Sequence, residues 1–272
     1  MHLKRWLTGI IALPILIYLI GFGPREIFCS MLYLVSLAGL MEFYRMTAPG
    51  LSKFVRWSSY FLALLMFLVI YMRQALLEPA VIAFWAFVPM TFFIFNPPSS
   101  NRQKTSEISK AVLGPVYVCL PLAMLSHIHQ YYPEGKIWVF FLLVVIFASD
   151  TGAFYCGKLF GKHKLYEAIS PGKTWEGAIG GLLCSIIAAL WFLHILRLHQ
   201  IDLTVLALVL ALSITGQIGD LAESMLKRNH GVKDSGKILP GHGGILDRID
   251  GLLFSIPILY IFLVMVHRGK IF

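Results

Sequence analysis

The sequence predicts an all-α, polytopic integral membrane protein of about nine transmembrane helices, with its N-terminus in the cytoplasm. Three observations lead there. The chain is 58% apolar and only 14% charged, with a mean hydropathy of +0.76, whereas a soluble domain is about half apolar and a quarter charged. Its apolar residues gather into runs long enough to cross a bilayer as helices. Finally, with Lys4 and Arg5 placed in the cytoplasm, the alternating sides carry 17 and 6 of the 23 Lys and Arg residues. Cytoplasmic loops are expected to hold that excess, which leaves the C-terminus outside.

The runs lie at 6–22, 26–44, 55–72, 76–96, 109–129, 137–156, 175–196, 203–222 and 249–267. The first lacks a small-residue cleavage site and is followed by eight more, so we expect it to be retained and not removed as a signal peptide. Glu42, near the end of the second run, is expected at the interface, paired with Arg45 or Arg56. Residues 97–108, NPPSSNRQKTSE, punctuate the chain as a polar surface connector. His127 and His129 are two residues apart and cannot share a helical face as zinc ligands would. Cys29, Cys119, Cys156 and Cys184 have no C-x-x-C partners, so they read as small packing residues.

Within one membrane domain, 1–272, residues 1–130 read as a helical scaffold half and 137–272 as a catalytic half. The catalytic half holds two polar cytoplasmic loops, 157–174 and 223–248, and nearly all the dense polar content. Gly177, Gly180 and Gly181 open the seventh run and suit close helix–helix packing. The net charge of +9 is scattered over loops. That pattern fits topology signalling and anionic lipid headgroups, and it argues against a nucleic-acid-binding face.

Three polar clusters meet the predicted cytoplasmic face. The first starts at Ser149-Asp150-Thr151-Gly152 and continues through Lys158, Lys162 and Lys164. The second is ISPGKTWEGAIGG, with Ser170, Lys173, Thr174 and Glu176, and the third runs from Gln217 through Asp220 to Asp250. Asp220, Glu223 and Lys227 share one helical face, and Asp220 lies nearest the membrane, where an unpaired carboxylate costs most. Asp247 and Asp250 are i and i+3 at the start of the last run. One acid would complement the helix dipole there; two, flanking Arg248, suggest a cation site. Asp220 with Asp247 could clamp Mg²⁺, which typically takes one or two carboxylates plus phosphate oxygens. Glu223, Asp250 and Asp150 are further candidate ligands. Lys227, Arg228, Lys233, Lys237, His242 and Arg248 could grip phosphate oxygens. Gly152 to Lys158 fits G-x-x-x-x-G-K, but Leu159 stands where a P-loop needs Ser or Thr. A Walker-type NTPase is therefore excluded.

Over Ser224–Asp250 the chain resembles CDP-diacylglycerol synthase, the phosphatidate cytidylyltransferase family. The residues that carry the resemblance are Ser224, Lys227-Arg228, Lys233-Asp234, His242-Gly243-Gly244 and Asp247-Arg248-Ile249-Asp250. The runs SDTGAFYCGKLFGKHKL and ISPGKTWEG are similar to the family too. The resemblance covers roughly the last half of the chain. It implies Mg²⁺-dependent conversion of CTP and phosphatidate to CDP-diacylglycerol and pyrophosphate, at the cytoplasmic face of the cell membrane. It further implies Asp220 and Asp247 at the metal centre, a second cation, and a homodimer. Lys227, Arg228, Lys233, His242 and Arg248 would act on phosphate, with Ser170, Lys173, Thr174, Glu176, Ser224 and Lys237 around the substrate. A lipid phosphate is already an anion, so this reaction needs charge neutralisation and in-line positioning more than a strong base.

Two other classes are compatible with part of this pattern. A CTP-dependent lipid kinase would need the same groups but would release CDP. A transporter would place its acids at mid-span, commonly on broken helices, whereas these acids sit at span ends.

Overall fold

The computed structural model describes residues 14–96, 101–238 and 243–267. Among them, eight helices are long and apolar enough to cross a membrane. They match the second to ninth expected runs. Most of the first run, 6–22, lies outside the described residues; its part from 14 to 21 is helical. Large apolar side chains such as Phe84, Phe87, Ile187 and Trp191 face outward. Hydrocarbon around a helix bundle permits this arrangement.

The chain divides into two compact units. The first takes Met1–His127 and Asp234–Asp247. It contains α1 (Arg25–Thr47), α2 (Lys53–Tyr71), α3 (Glu78–Phe95) after a short 3₁₀ turn, and α4 (Asn101–Gly114). A π turn, Pro115–Cys119, joins α4 to α5 (Leu120–Tyr131). Pro115 brings no N–H to the helical ladder, and a widened turn absorbs that loss. The core gathers Leu40, Phe43, Tyr44, Val55, Ala63 and Met66. The Tyr44 hydroxyl donates to the Ala111 carbonyl at 2.9 Å, tying α1 to α4. At Gly114 a Cβ would come within 2.9 Å of both Leu40 and Tyr44, so only glycine permits this approach.

The second unit takes Ile128–Lys233 and Arg248–Phe272. Its elements are α6 (Gly135–Phe160), the strands β1 (Lys164–Tyr166) and β2 (Ser170–Thr174), α7 (Trp175–Leu196), α8 (Leu203–Asn229) and, from Arg248 on, α9 (Leu246–His267). Small residues set the contact between α6 and α7. A Cβ on Gly181 would stand 2.6 Å from the Ser149 carbonyl, and one on Gly152 would stand 2.7 Å from Cys184 Sγ. Gly180 faces Cys156 in the same way. Close small-residue packing is what the glycines of the seventh run predicted, and Cys156 and Cys184 fill the space opposite them. All four cysteines are free thiols. Polar bridges add to this packing: Ser149 Oγ lies 2.9 Å from Ser213 Oγ, and Gln217 Nε2 donates to the Ala178 carbonyl at 3.1 Å.

Several boundaries differ from expectation. Residues 101–108 are not connector but the first turns of α4. Gln103, Lys104 and Glu107 are good helix formers, and the Pro/Ser punctuation ends at Ser100. The loop expected at 157–174 is short, because α6 continues to Phe160 and β1 and β2 form an antiparallel hairpin. Strands of three and five residues are too brief for periodicity to reveal. Likewise α8 runs to Asn229, so the 223–248 segment begins as helix. Asp150 is ten residues short of the end of α6 and not at its tip. The P-loop look-alike, 152–158, is helical throughout.

Candidate active site

The second unit brings together acids from three helices. Asp150 comes from α6, Asp220 from α8 and Asp250 from α9, and each bears electrostatically on the others. Gly219 makes the α8–α9 approach possible, since a Cβ there would stand 2.5 Å from the Asp250 carbonyl oxygen. The hairpin adds the balancing cation: Lys173 Nζ lies 2.7 Å from Asp220 Oδ2, with both side chains partly open to solvent. Ser224 reaches the other oxygen, Asp220 Oδ1, at 3.5 Å. Asp250 Oδ1 accepts the Gly251 N–H at 2.8 Å. Neighbouring like charges raise the local energy unless a cation joins them.

The bases around this cluster divide by what they already hold. Lys227 pairs with Glu223 at 2.5 Å, and Glu223 is fully buried. Glu223 is thus committed to an i,i+4 ion pair inside the unit, which leaves the expected acid stripe on α8 with Asp220 as its accessible member. Lys227 still acts on Asp250 through space. Arg228 Nε and Nη1 lie 3.4 Å from the carbonyls of Ile169 and Val232, bracing the hairpin against the end of α8. Lys233 and Arg248 are exposed.

Local hydrogen bonds occupy other predicted substrate residues. Thr174 Oγ1 caps α7 by accepting the Gly177 N–H at 3.1 Å. Glu176 accepts the backbone N–H of Lys162 at 3.1 Å and of His163 at 3.2 Å, and meets His163 Nδ1 at 2.6 Å. These contacts close the base of the hairpin, with Lys164 Nζ bonded to the Pro171 carbonyl at 2.6 Å. Ser170 sits on β2 opposite Tyr166. The hairpin is a built platform that presents Lys173.

The first unit carries a second group. Asp247 Oδ2 accepts the N–H of Ser235 at 3.0 Å and of Gly244 at 2.8 Å, and the Ser235 hydroxyl at 2.9 Å. Gly243 adopts φ +83°, and a Cβ there would meet Asp247 Oδ2 at 2.8 Å. The glycines of the motif therefore let backbone fold around a carboxylate. Lys237 lies exposed in this loop. His242 lies outside the described residues.

Sequence reasoning singled out Glu42 but gave it the wrong partners. It is buried, at 1% exposure, and Oε2 accepts the Leu246 N–H at 2.9 Å. The expected ion pair with Arg45 or Arg56 is absent among the described residues. Arg56 instead donates to the carbonyls of Ala48 and Pro49. The available signal was an acid within an apolar run, which is costly unless something holds it.

Among the described residues, no group of three or more His, Cys, Asp or Glu side chains is arranged to enclose a metal ion. That is compatible with Mg²⁺, a hard cation that usually keeps water and substrate phosphate oxygens beside one or two carboxylates. The donor chemistry of Asp150, Asp220 and Asp250 fits such a cation.

Comparison with known proteins extends the likeness beyond the motif half. The chain is 36% identical over 262 residues to the phosphatidate cytidylyltransferase of Staphylococcus epidermidis (strain RP62A), covering 96% of this chain and 98% of that protein. The Staphylococcus aureus (strain COL) protein of the same name is 36% identical over 264 residues, with the same coverage of both chains. That of Staphylococcus haemolyticus is 35% identical over 262 residues, again covering 96% of this chain and 98% of its own. With residues 3–266 also matching its family model, the chain belongs to the cytidylyltransferase family.

Proposed function

We propose that this membrane enzyme joins CTP and phosphatidate to give CDP-diacylglycerol and pyrophosphate. One observation carries the reading: three carboxylates of the second unit, Asp150, Asp220 and Asp250, act on one another, and Lys173 pairs with Asp220 at 2.7 Å. In the reaction, a phosphate oxygen of phosphatidate bonds to the α-phosphorus of CTP as the bond to the departing pyrophosphate breaks. The nucleophile is already anionic, so what the protein must supply is charge neutralisation and alignment.

Asp220, with its neighbours Asp150 and Asp250, would offer carboxylate oxygens to Mg²⁺, and by the family resemblance Asp247 would serve the metal centre too. Bound there, Mg²⁺ would neutralise charge on the triphosphate and polarise its phosphoryl oxygens. Lys173, presented by the hairpin beside Asp220, would bind a phosphate oxygen. Lys227, Arg228, Lys233 and Arg248 add positive charge that draws two polyanions together. Apolar outer faces of the helices leave the lipid tails in the bilayer while the headgroup reaches this end.

The purified chain should release pyrophosphate and CDP-lipid in equal amounts from CTP and phosphatidate, and only with Mg²⁺. Release of CDP with a phosphorylated lipid alcohol would replace this reading with a kinase. We place the site on the cytoplasmic face and expect a homodimer. Membrane-impermeant labelling should find Lys164 and Lys237 on one side of the membrane, and labelling on opposite sides would overturn the orientation.

A further inference from the structure

We propose that Glu42 is a positioning residue for the reaction, holding the segment around Asp247 in its working shape. The inference rests on the reading above, in which Asp247 serves the metal centre. Its source is a buried carboxylate that the mechanism does not use. Glu42 sits in α1, about two hundred residues before its partners, with 193 residues separating it from Ser235 and 204 from Leu246.

Glu42 grips both ends of the loop that carries Asp247. Oε2 accepts the N–H of Leu246, the first residue of α9, at 2.9 Å. That amide is one of the donors a helix start leaves unsatisfied, and a carboxylate there also complements the helix dipole. The Ser235 hydroxyl lies 3.3 Å from the same oxygen, and Ser235 is in turn bound to Asp247. The fit is tight on the loop side: a Cβ on either Gly236 or Gly244 would collide with the Glu42 carboxylate. Two glycines, one serine and one helix start thus close around a single side chain.

Stability alone is a poor reason to keep an acid here. Oε1 is buried and has no hydrogen-bond partner among the described residues. Burying a carboxylate with an oxygen unsatisfied works against folding. What the arrangement does secure is geometry. Glu42 fixes Leu246, and Asp247 follows it on the same turn. A reacting group displaced by about 1 Å can lose on the order of a hundredfold in rate.

The test uses the full chain purified in detergent, with Glu42→Ala, Glu42→Gln and Gly236→Ala. The third variant pushes on the carboxylate from the loop side without changing Glu42. Readouts are kcat and KM for CTP, and hydrogen exchange at the amides of Ser235, Gly244 and Leu246. Glu42→Ala and Gly236→Ala should each lower kcat about a hundredfold with KM much less affected. Exchange should quicken at those three amides and not across the helices. Glu42→Gln keeps an acceptor for Leu246 and should restore most of both losses. Wild-type kcat in either alanine variant would overturn the proposal, as would faster exchange throughout the helices. So would a Glu42→Gln protein as slow as Glu42→Ala with its loop amides protected, since the charge would then act directly on a ligand. A wild-type chain without cytidylyl transfer would defeat the functional reading alone, and the exchange data would still decide whether Glu42 holds the loop.

Discussion

Asp220→Asn is expected to lower cytidylyl transfer about a hundredfold or more while leaving the protein folded. The size follows from the place of the carboxylate. Asp220 is the acid to which Lys173 is bound, and it acts on both Asp150 and Asp250. The substitution would take the central negative charge from the proposed cation site. The cost to folding should be small, because its side chain is 40% exposed and its partner Lys173 is 26% exposed. Ion pairs this open to solvent contribute about 0–1 kcal/mol. Relief of repulsion among three acids works in the opposite direction. Thermal unfolding in detergent should therefore show a midpoint equal to or above that of the wild type, and the Mg²⁺ concentration for half-maximal rate should rise. Turnover like the wild type would remove Asp220 from the metal site. A lowered unfolding midpoint would assign the loss of activity to folding instead.

Much of the fold was legible because a bilayer imposes a strong signal. Eight of the expected apolar runs recur as helices, and the ends of α7 and the start of α8 fall where the polar residues begin. Asp220, Glu223 and Lys227 were also legible as one helical face, since only the 3.6-residue period is needed. What the period could not say is which of the three stays available. Glu223 is consumed by Lys227 because other helices cover it, and burial of that kind depends on packing far along the chain. Lys173 reaches Asp220 through a hairpin whose strands are too short to announce themselves. Glu42 was the hardest to read. Its partners lie almost at the other end of the chain, and the nearer arginines offered a simpler pairing that the structure does not make. Local pattern thus found the acids and bases, and long-range packing decided their roles.

Asp247 allows charge and shape to be separated within one side chain. Its Oδ2 accepts two backbone amides and a hydroxyl, and the Ser235 N–H also lies 3.3 Å from Oδ1. Asp247→Asn can set its amide oxygen where Oδ2 stands and keep those donors satisfied. Only the negative charge is then lost. Asp247→Ala loses the charge and leaves the donors of Ser235 and Gly244 without their acceptor, at about 1–3 kcal/mol for each buried one. Both variants should be slowed about a hundredfold or more if the charge serves the cation. Only the alanine variant should unfold at a clearly lower temperature. A second outcome would be as informative: an Asn variant with wild-type turnover would make Asp247 a loop cap, acting by shape alone. The proposed cation would then be left to Asp220, Asp150 and Asp250, all within one unit. Because Asp250 follows Asp247 by three residues on α9, a helix held in register at its first turn would still place Asp250. In that case Asp247→Ala should slow the enzyme more than Asp247→Asn, and the ratio of the two rates would measure how far order at the start of α9 governs the chemistry.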